Sequence, residues 1–122
     1  FGIHYSTIDP LDIALDTPTN KLKNYIQPNK ILVISFWASW CPYCKKEVSV
    51  LKQLKTQNPE IDIIGLQVDS AIPDTIFQNT GYPNINASNN GARIMQLYGN
   101  FSAGVPFIVI LKNEKFKKIY SF

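Results

Sequence analysis

The chain has two cysteines, Cys41 and Cys44, separated by two residues. That spacing suits a redox dithiol, half of a zinc site, or a coincidental pair. Structural zinc takes four ligands, usually from two such pairs or from one pair with histidines. Here there is one pair and one histidine, His4, far away in sequence, which disfavours zinc within a single chain. Cys41 follows an apolar run and Trp40 and precedes Pro42, so it marks a strand-to-helix junction. An exposed tip is expected there rather than a core wall. Cys41 then becomes the N-cap, with Pro42 at the first helical position, where a missing N–H costs nothing. Cys44 lies about one turn on, within disulfide reach. The helix N-terminus favours an anion, which stabilises a Cys41 thiolate, while Cys44 is more shielded. In this reading the first cysteine attacks and the second resolves. The alternative is a dithiolate copper-binding module or chaperone holding a soft ion such as Cu(I). One Met and one His are few further ligands for it.

The elements that must position this pair follow from periodicity. Ile31–Trp37 is apolar except for Ser35, the pattern of a strand buried on both faces. A helix is expected over Pro42–Gln57, with Glu47, Val50, Leu51, Leu54 and Asn58 on one stripe and Lys45, Lys46, Lys52 and Lys55 in water. Pro59 ends it. Residues 61–68 read as a second buried strand and 106–111 as a third, with a closing strand over 116–122. Residues 11–16 suggest a short edge strand, and Thr19 an N-cap for a short helix carrying Leu22, Tyr25 and Ile26. Residues 72–79 suggest another short helix, and 81–87 an irregular or extended connection. Ser88 reads as the cap of a helix bearing Ile94, Leu97 and Tyr98, stopped by Gly99. The order β-α-β-α-α-β-β implies a parallel pair joined to an antiparallel hairpin. Val33, Ile34, Phe36, Ile63, Ile64, Leu66, Ile108 and Ile110 are the expected strand core.

Composition narrows the function classes. With 122 residues, 45% of them hydrophobic, the chain suffices for one domain, 1–122, with its own core. The formal charge is +3 and the sole arginine is Arg93, so no basic stripe for nucleic acid is present. No stretch approaches the roughly twenty apolar residues of a membrane span. The start lacks a charged region followed by an apolar one, and Phe1 stands where an initiating Met would, which reads as a trimmed chain.

The segment Ile34-Ser35-Phe36-Trp37-Ala38-Ser39-Trp40-Cys41-Pro42-Tyr43-Cys44-Lys45-Lys46-Glu47 resembles the active-site block of thioredoxins. The Phe-Trp-Ala-Ser-Trp-Cys run, and the Glu three residues after the second cysteine, resemble more narrowly the TlpA/ResA/DsbE group. Those are extracytoplasmic, usually membrane-tethered bacterial thiol–disulfide proteins. Gly104-Val105-Pro106 is similar to the family's cis-proline loop, while the Pro-Tyr spacer is that of glutaredoxins. The resemblance implies a thioredoxin fold: an α/β domain with a central mixed sheet flanked by helices. The family's C-terminal helix is expected to be absent, leaving Phe116, Ile119 and Tyr120 to be covered by a partner chain or the N-terminal segment. Ser35 stands where thioredoxins carry a buried Asp, and Ser70, beside Asp69, where ResA-like members place a Glu.

By this resemblance the chain exchanges disulfides with protein thiols, as a reductase in the periplasm or another extracytoplasmic compartment. Cys41 and Cys44 are the catalytic pair. Trp40, Pro42, Tyr43, Val105 and Pro106 line the substrate side, with a cis Val105–Pro106 bond. Glu47 and Asp69 are candidate proton relays, with Glu47 otherwise read as an exposed helix acid. No cofactor, metal or nucleic acid is implied. The partners would be substrate proteins and a redox partner protein, with a possible membrane tether outside the chain.

Overall fold

The computed structural model describes residues 8–113, and the backbone alone of 115–121. Seven regular elements make up the fold: β1 (Ile31–Trp37), α1 (Pro42–Gln57), β2 (Asp62–Gln67), β3 (Asn84–Asn86), α2 (Ser88–Leu97), β4 (Phe107–Lys112) and β5 (Lys115–Ser121). The strands form one mixed sheet in the order β3-β2-β1-β4-β5. β1 runs parallel to β2 and antiparallel to β4, with Ser35 opposite Gly65 on one side and Ile108 on the other. Beyond the expected parallel pair, β3 adds a third parallel strand on β2. β4 and β5 form the antiparallel hairpin.

Strand parity divides the core, because successive side chains leave a strand on opposite faces. Leu32, Ile34 and Phe36 of β1 join Ile64, Leu66, Phe107, Val109, Ile94 and Met95 in one cluster. Val33 packs with Ile63 and Leu51 of α1 in another. Trp37 belongs to a third cluster with Cys41, Cys44, Val48 and Phe77. Six of the eight expected core residues are buried; Ile108 and Ile110 are half-buried. They lie on the α1 side of β4, and Ile108 lines a cavity there.

Several local expectations are corrected. Residues 11–16 form no strand: Asp9 caps a 3-10 turn at Pro10–Asp12, followed by a single bridge from Ala14 to Lys21. Pro10 begins that turn because its ring fixes φ and its absent N–H is not needed. Thr19 caps nothing; the turn Leu22–Tyr25 follows Lys21, and Thr19 offers its carbonyl to the Asn24 amide at 2.8 Å. The helix expected over 72–79 is only a 3-10 turn, Thr75–Phe77. Ala87, not Ser88, occupies the cap position of α2. Ser88 has φ 45° and donates its hydroxyl to Asn86 at 2.8 Å. On α1, Val48 is buried and Val50 exposed, so the stripe is centred on Cys44, Glu47, Val48 and Leu51. Gly99 does stop α2, with φ 96° and the next N–H returning to Met95. His4 and the side chains of Phe116, Ile119 and Tyr120 lie outside the described residues. Among the described helices none is long and apolar enough to cross a membrane.

Gly65 is required by what stands beside it. A Cβ there would meet the Asn84 amide oxygen at 1.8 Å and the Trp37 indole nitrogen at 3.0 Å. Asn84 cannot step aside freely: it accepts from the Trp37 indole at 3.0 Å and donates to the Phe77 carbonyl and the Thr80 hydroxyl. Gly65→Ala is expected to lower unfolding stability by about 1–3 kcal/mol, as overpacking does. Urea denaturation measures this, and an unchanged midpoint would show that Asn84 yields without cost.

Candidate active site

β1 ends at Trp37, and a turn closed by Cys41 N–H to the Ala38 carbonyl at 3.2 Å feeds α1. Cys41 is the N-cap with extended backbone, and Pro42 occupies the first turn, as the spacing implied. The backbone N–H of Cys44 donates to Cys41 Sγ at 3.1 Å. Cys41 and Cys44 form a disulfide with Cα atoms 5.2 Å apart. An N–H that reaches the sulfur of the disulfide is positioned to stabilise the thiolate once the bond opens. The expectation of an exposed tip is corrected: Cys41 is only 2% exposed, packed among Trp37, Ala38 and Val48, with the Val105 carbonyl 3.7 Å from its Sγ. Exposure at this end belongs instead to Trp40 and Tyr43.

A carboxylate stands where the sequence offered only Ser35. Odd-numbered residues of β1 face α1, and there Ser35 donates its hydroxyl to Glu47 Oε1 at 2.9 Å. Both side chains are buried. Desolvation raises the Glu47 pKa above its ordinary 4.5, partly opposed by the Ser35 hydrogen bond. Glu47 lies one turn after Cys44 on the same helix, so it is a buried acid and not an exposed one.

Asp69 is engaged otherwise. Its Oδ1 accepts the Ser39 N–H and the Gln67 amide, both at 3.0 Å, and its Oδ2 accepts the Ser39 hydroxyl at 2.5 Å. Burial alone would push its pKa up, but the bonds from Ser39, Gln67 and the Ala71 backbone outweigh that and hold it below the ordinary carboxylate value. Lys45, expected to lie in water near the thiol, is paired with Asp74, and Lys46 sits over the Tyr43 ring at 5.4 Å. Among the described residues no group of three or more His, Cys, Asp and Glu side chains is placed to hold a metal.

The thioredoxin family matches residues 14–105, a span that takes in the cysteine pair and the loop up to Val105. This chain belongs to the thioredoxin family. It is 27% identical to thioredoxin-1 of Saccharomyces cerevisiae over 82 residues, covering 66% of this chain and 79% of the yeast protein. Against the thioredoxin of Mycobacterium bovis it is 29% identical over 77 residues, covering 61% of this chain and 66% of the relative. In three dimensions it resembles the thioredoxin domain of a thiol-disulfide oxidoreductase from Bacteroides vulgatus, with TM-score 0.70, 16% identity, and 97% and 89% of the two chains covered. A secreted Mycobacterium tuberculosis disulfide oxidoreductase homologous to DsbE superposes with TM-score 0.60 at 22% identity, covering 76% of this chain and 69% of that one. The group suggested by the active-site block is thus represented among the structural neighbours. The fold, with its Cys-Pro-Tyr-Cys pair, is that of a thiol–disulfide oxidoreductase.

On this thioredoxin fold the Val105–Pro106 bond is cis, and Pro106 is fully buried. Pro106 also walls a cavity of about 250 Å³, lined by Tyr43, Lys46, Glu47, Val50, Leu51 and Ile108. Val105 thus reaches Cys41 from a distant segment, while Trp40 and Tyr43, its near neighbours in sequence, are exposed. Sequence reasoning missed Ser35 as a partner, because a serine in an apolar strand signals nothing until the opposing helix face is known. It also missed Ser39 and Gln67, whose roles exist only through Asp69, and Phe77, which stacks on Trp37 at 4.0 Å between ring centroids.

The raised Glu47 pKa has a consequence for stability. The folded protein binds this proton more tightly than the unfolded chain, so the stabilisation is complete below pH 4.5 and is lost as pH rises through the folded value. Glu47→Gln removes that loss while keeping an oxygen for Ser35. The variant should gain on the wild type as pH climbs from 4 to 8 in thermal melts. A stability difference that stays constant with pH would refute the burial argument.

Proposed function

We propose that this domain reduces disulfides in protein substrates outside the cytoplasm, and that Cys41 is its nucleophile and Cys44 its resolving thiol. The observation that carries the reading is the N–H of Cys44 directed at Cys41 Sγ from the first turn of α1. In the reduced protein the Cys41 thiolate attacks one substrate sulfur, and the other leaves as a thiolate. Cys44 then loses its proton and attacks Cys41 Sγ, which closes the intramolecular disulfide and releases the second substrate sulfur. Two electrons pass from the pair to the substrate, and two protons complete the substrate thiols. A redox partner protein must supply the electrons that reopen the pair. Run backwards, the same steps oxidise a dithiol.

Glu47 is the proposed acceptor for the Cys44 proton, being buried one turn away with an elevated affinity for protons. The substrate backbone is proposed to lie beside Val105, which precedes the buried cis Pro106, flanked by the exposed rings of Trp40 and Tyr43, with Pro42 at the helix start. What supports the compartment and the direction is the likeness of the active-site block to tethered reductases, together with neighbours described as secreted or as DsbE-like. The domain is proposed to comprise all of 1–122. A tether, where present, would lie outside the described residues.

Because Ser35 is bonded to Glu47, a Ser35→Asp change at the position where thioredoxins carry a buried Asp would set a second carboxyl against Glu47.

Three measurements test the proposal. Equilibration with glutathione should give a reduction potential near the roughly −270 mV of thioredoxin; a value near −120 mV would make the domain an oxidant. Reduced protein should be alkylated at Cys41 well below pH 8.5, the ordinary thiol range, with Cys44 resisting to higher pH. Cys41→Ser should abolish disulfide reduction. If it leaves reduction intact, the nucleophile is misassigned.

A further inference from the structure

Trp37 and Gln67 are register partners at the ends of the parallel strands β1 and β2, and the N–H of Val68 still reaches the Trp37 carbonyl at 2.9 Å. Beyond that point the two chains leave the sheet side by side. One becomes the turn that delivers Cys41; the other becomes the loop at 68–71. Asp69 ties them together. One oxygen holds the Ser39 N–H and the other the Ser39 hydroxyl, so Ser39 is gripped at two points and cannot rotate. The grip is itself anchored: Gln67 is 3% exposed and braces Asp69 at 3.0 Å while donating to the Ala71 carbonyl at 2.7 Å. Ser39 sits inside the turn closed by Cys41 N–H to Ala38, two residues before the cap.

We infer that Asp69, braced by Gln67, is a positioning residue that fixes Cys41 Sγ against the Cys44 N–H by clamping Ser39, and is not a proton carrier. Both of its oxygens are engaged by donors, and these bonds favour the carboxylate in the clamp over a protonated acid. The clamp supplies what the N-cap geometry needs. A sulfur 3.1 Å from an N–H keeps that bond only while the turn before it holds its orientation. The inference rests on the reading of Cys41 as nucleophile.

The test compares Asp69→Ala, Asp69→Asn and Ser39→Ala with the wild type. Its readouts are the Cys41 pKa, taken from thiolate absorbance and iodoacetamide rates, and the rate of disulfide reduction. Asp69→Ala releases the clamp and should raise the Cys41 pKa and slow reduction by roughly tenfold or more, as loss of positioning does. Asp69→Asn keeps an oxygen for the Ser39 N–H and an amide for its hydroxyl, and should recover most of that loss. Ser39→Ala keeps the backbone half of the clamp and should raise the pKa by less; it also serves if Asp69→Ala does not fold. Three outcomes overturn the inference. If Ala and Asn both lower the Cys41 pKa, Asp69 acts through its charge. If both abolish reduction while the Cys41 pKa stays put, Asp69 carries a proton. If none of the variants moves either readout, the clamp positions nothing. A wild-type protein that reduces no disulfide would refute the function and leave the pKa comparison standing.

Discussion

The redox end depends on one residue doing two backbone jobs. Cys41 is the last extended residue after β1 and the cap of α1, and its sulfur takes the place usually held by a capping oxygen. Such a cap satisfies an N–H that the helix start would otherwise leave unpaired. The sulfur is therefore held by the same donor that will receive its negative charge. Pro42 fits because its position needs no N–H, and Cys44, three residues on, supplies both the cap's backbone donor and the second sulfur. The Cys-x-x-Cys spacing is thus the spacing of a helix cap as well as of a disulfide.

Charge is then managed by pairing. Of the lysines that follow the motif, Lys45 is matched by Asp74 and Lys46 lies over the Tyr43 ring. The two nearby acids have opposite surroundings. Asp69 is surrounded by donors and stays ionised; Glu47 is desolvated with a single hydroxyl and holds its proton longer. Two carboxyl side chains thereby acquire different proton affinities from their surroundings alone.

Much of the central framework was legible in sequence because it rests on strong periodicity. The run Ile31–Trp37 and the helix Pro42–Gln57 fall where apolar spacing and proline put them. The peripheral elements were not legible. Residues 84–86 pair with β2 only because the sheet offers an edge, and nothing in Asn-Ile-Asn announces a strand. Thr19 and Ser88 looked like caps, but Asn24 and Asn86 captured their neighbourhoods through side-chain bonds that propensity does not rank. At the site, the cysteines and the cis proline were visible as motifs. The hydrogen bond of Glu47 was not, because its partner, Ser35, lies twelve positions away on a different element. Val50 was assigned to the buried stripe for the same reason: the facing surface, not the helix period alone, decides which edge of a stripe is covered.

The position of Glu47 on α1, and not on the sheet, has a mechanical consequence. An acid carried by β1 would keep its place in the sheet while the helix shifted, and its distance to Cys44 would vary with every such movement. Glu47 and Cys44 share one turn of one helix, so a shift or tilt of α1 carries acid and thiol together as a rigid unit. What such a movement changes is the bond to Ser35 on the stationary sheet, which tempers the affinity of Glu47 for a proton. Tightening that contact favours the carboxylate, and loosening it favours the acid. The seating of α1 on the sheet thereby bears on the protonation state of Glu47, one helical turn from Cys44.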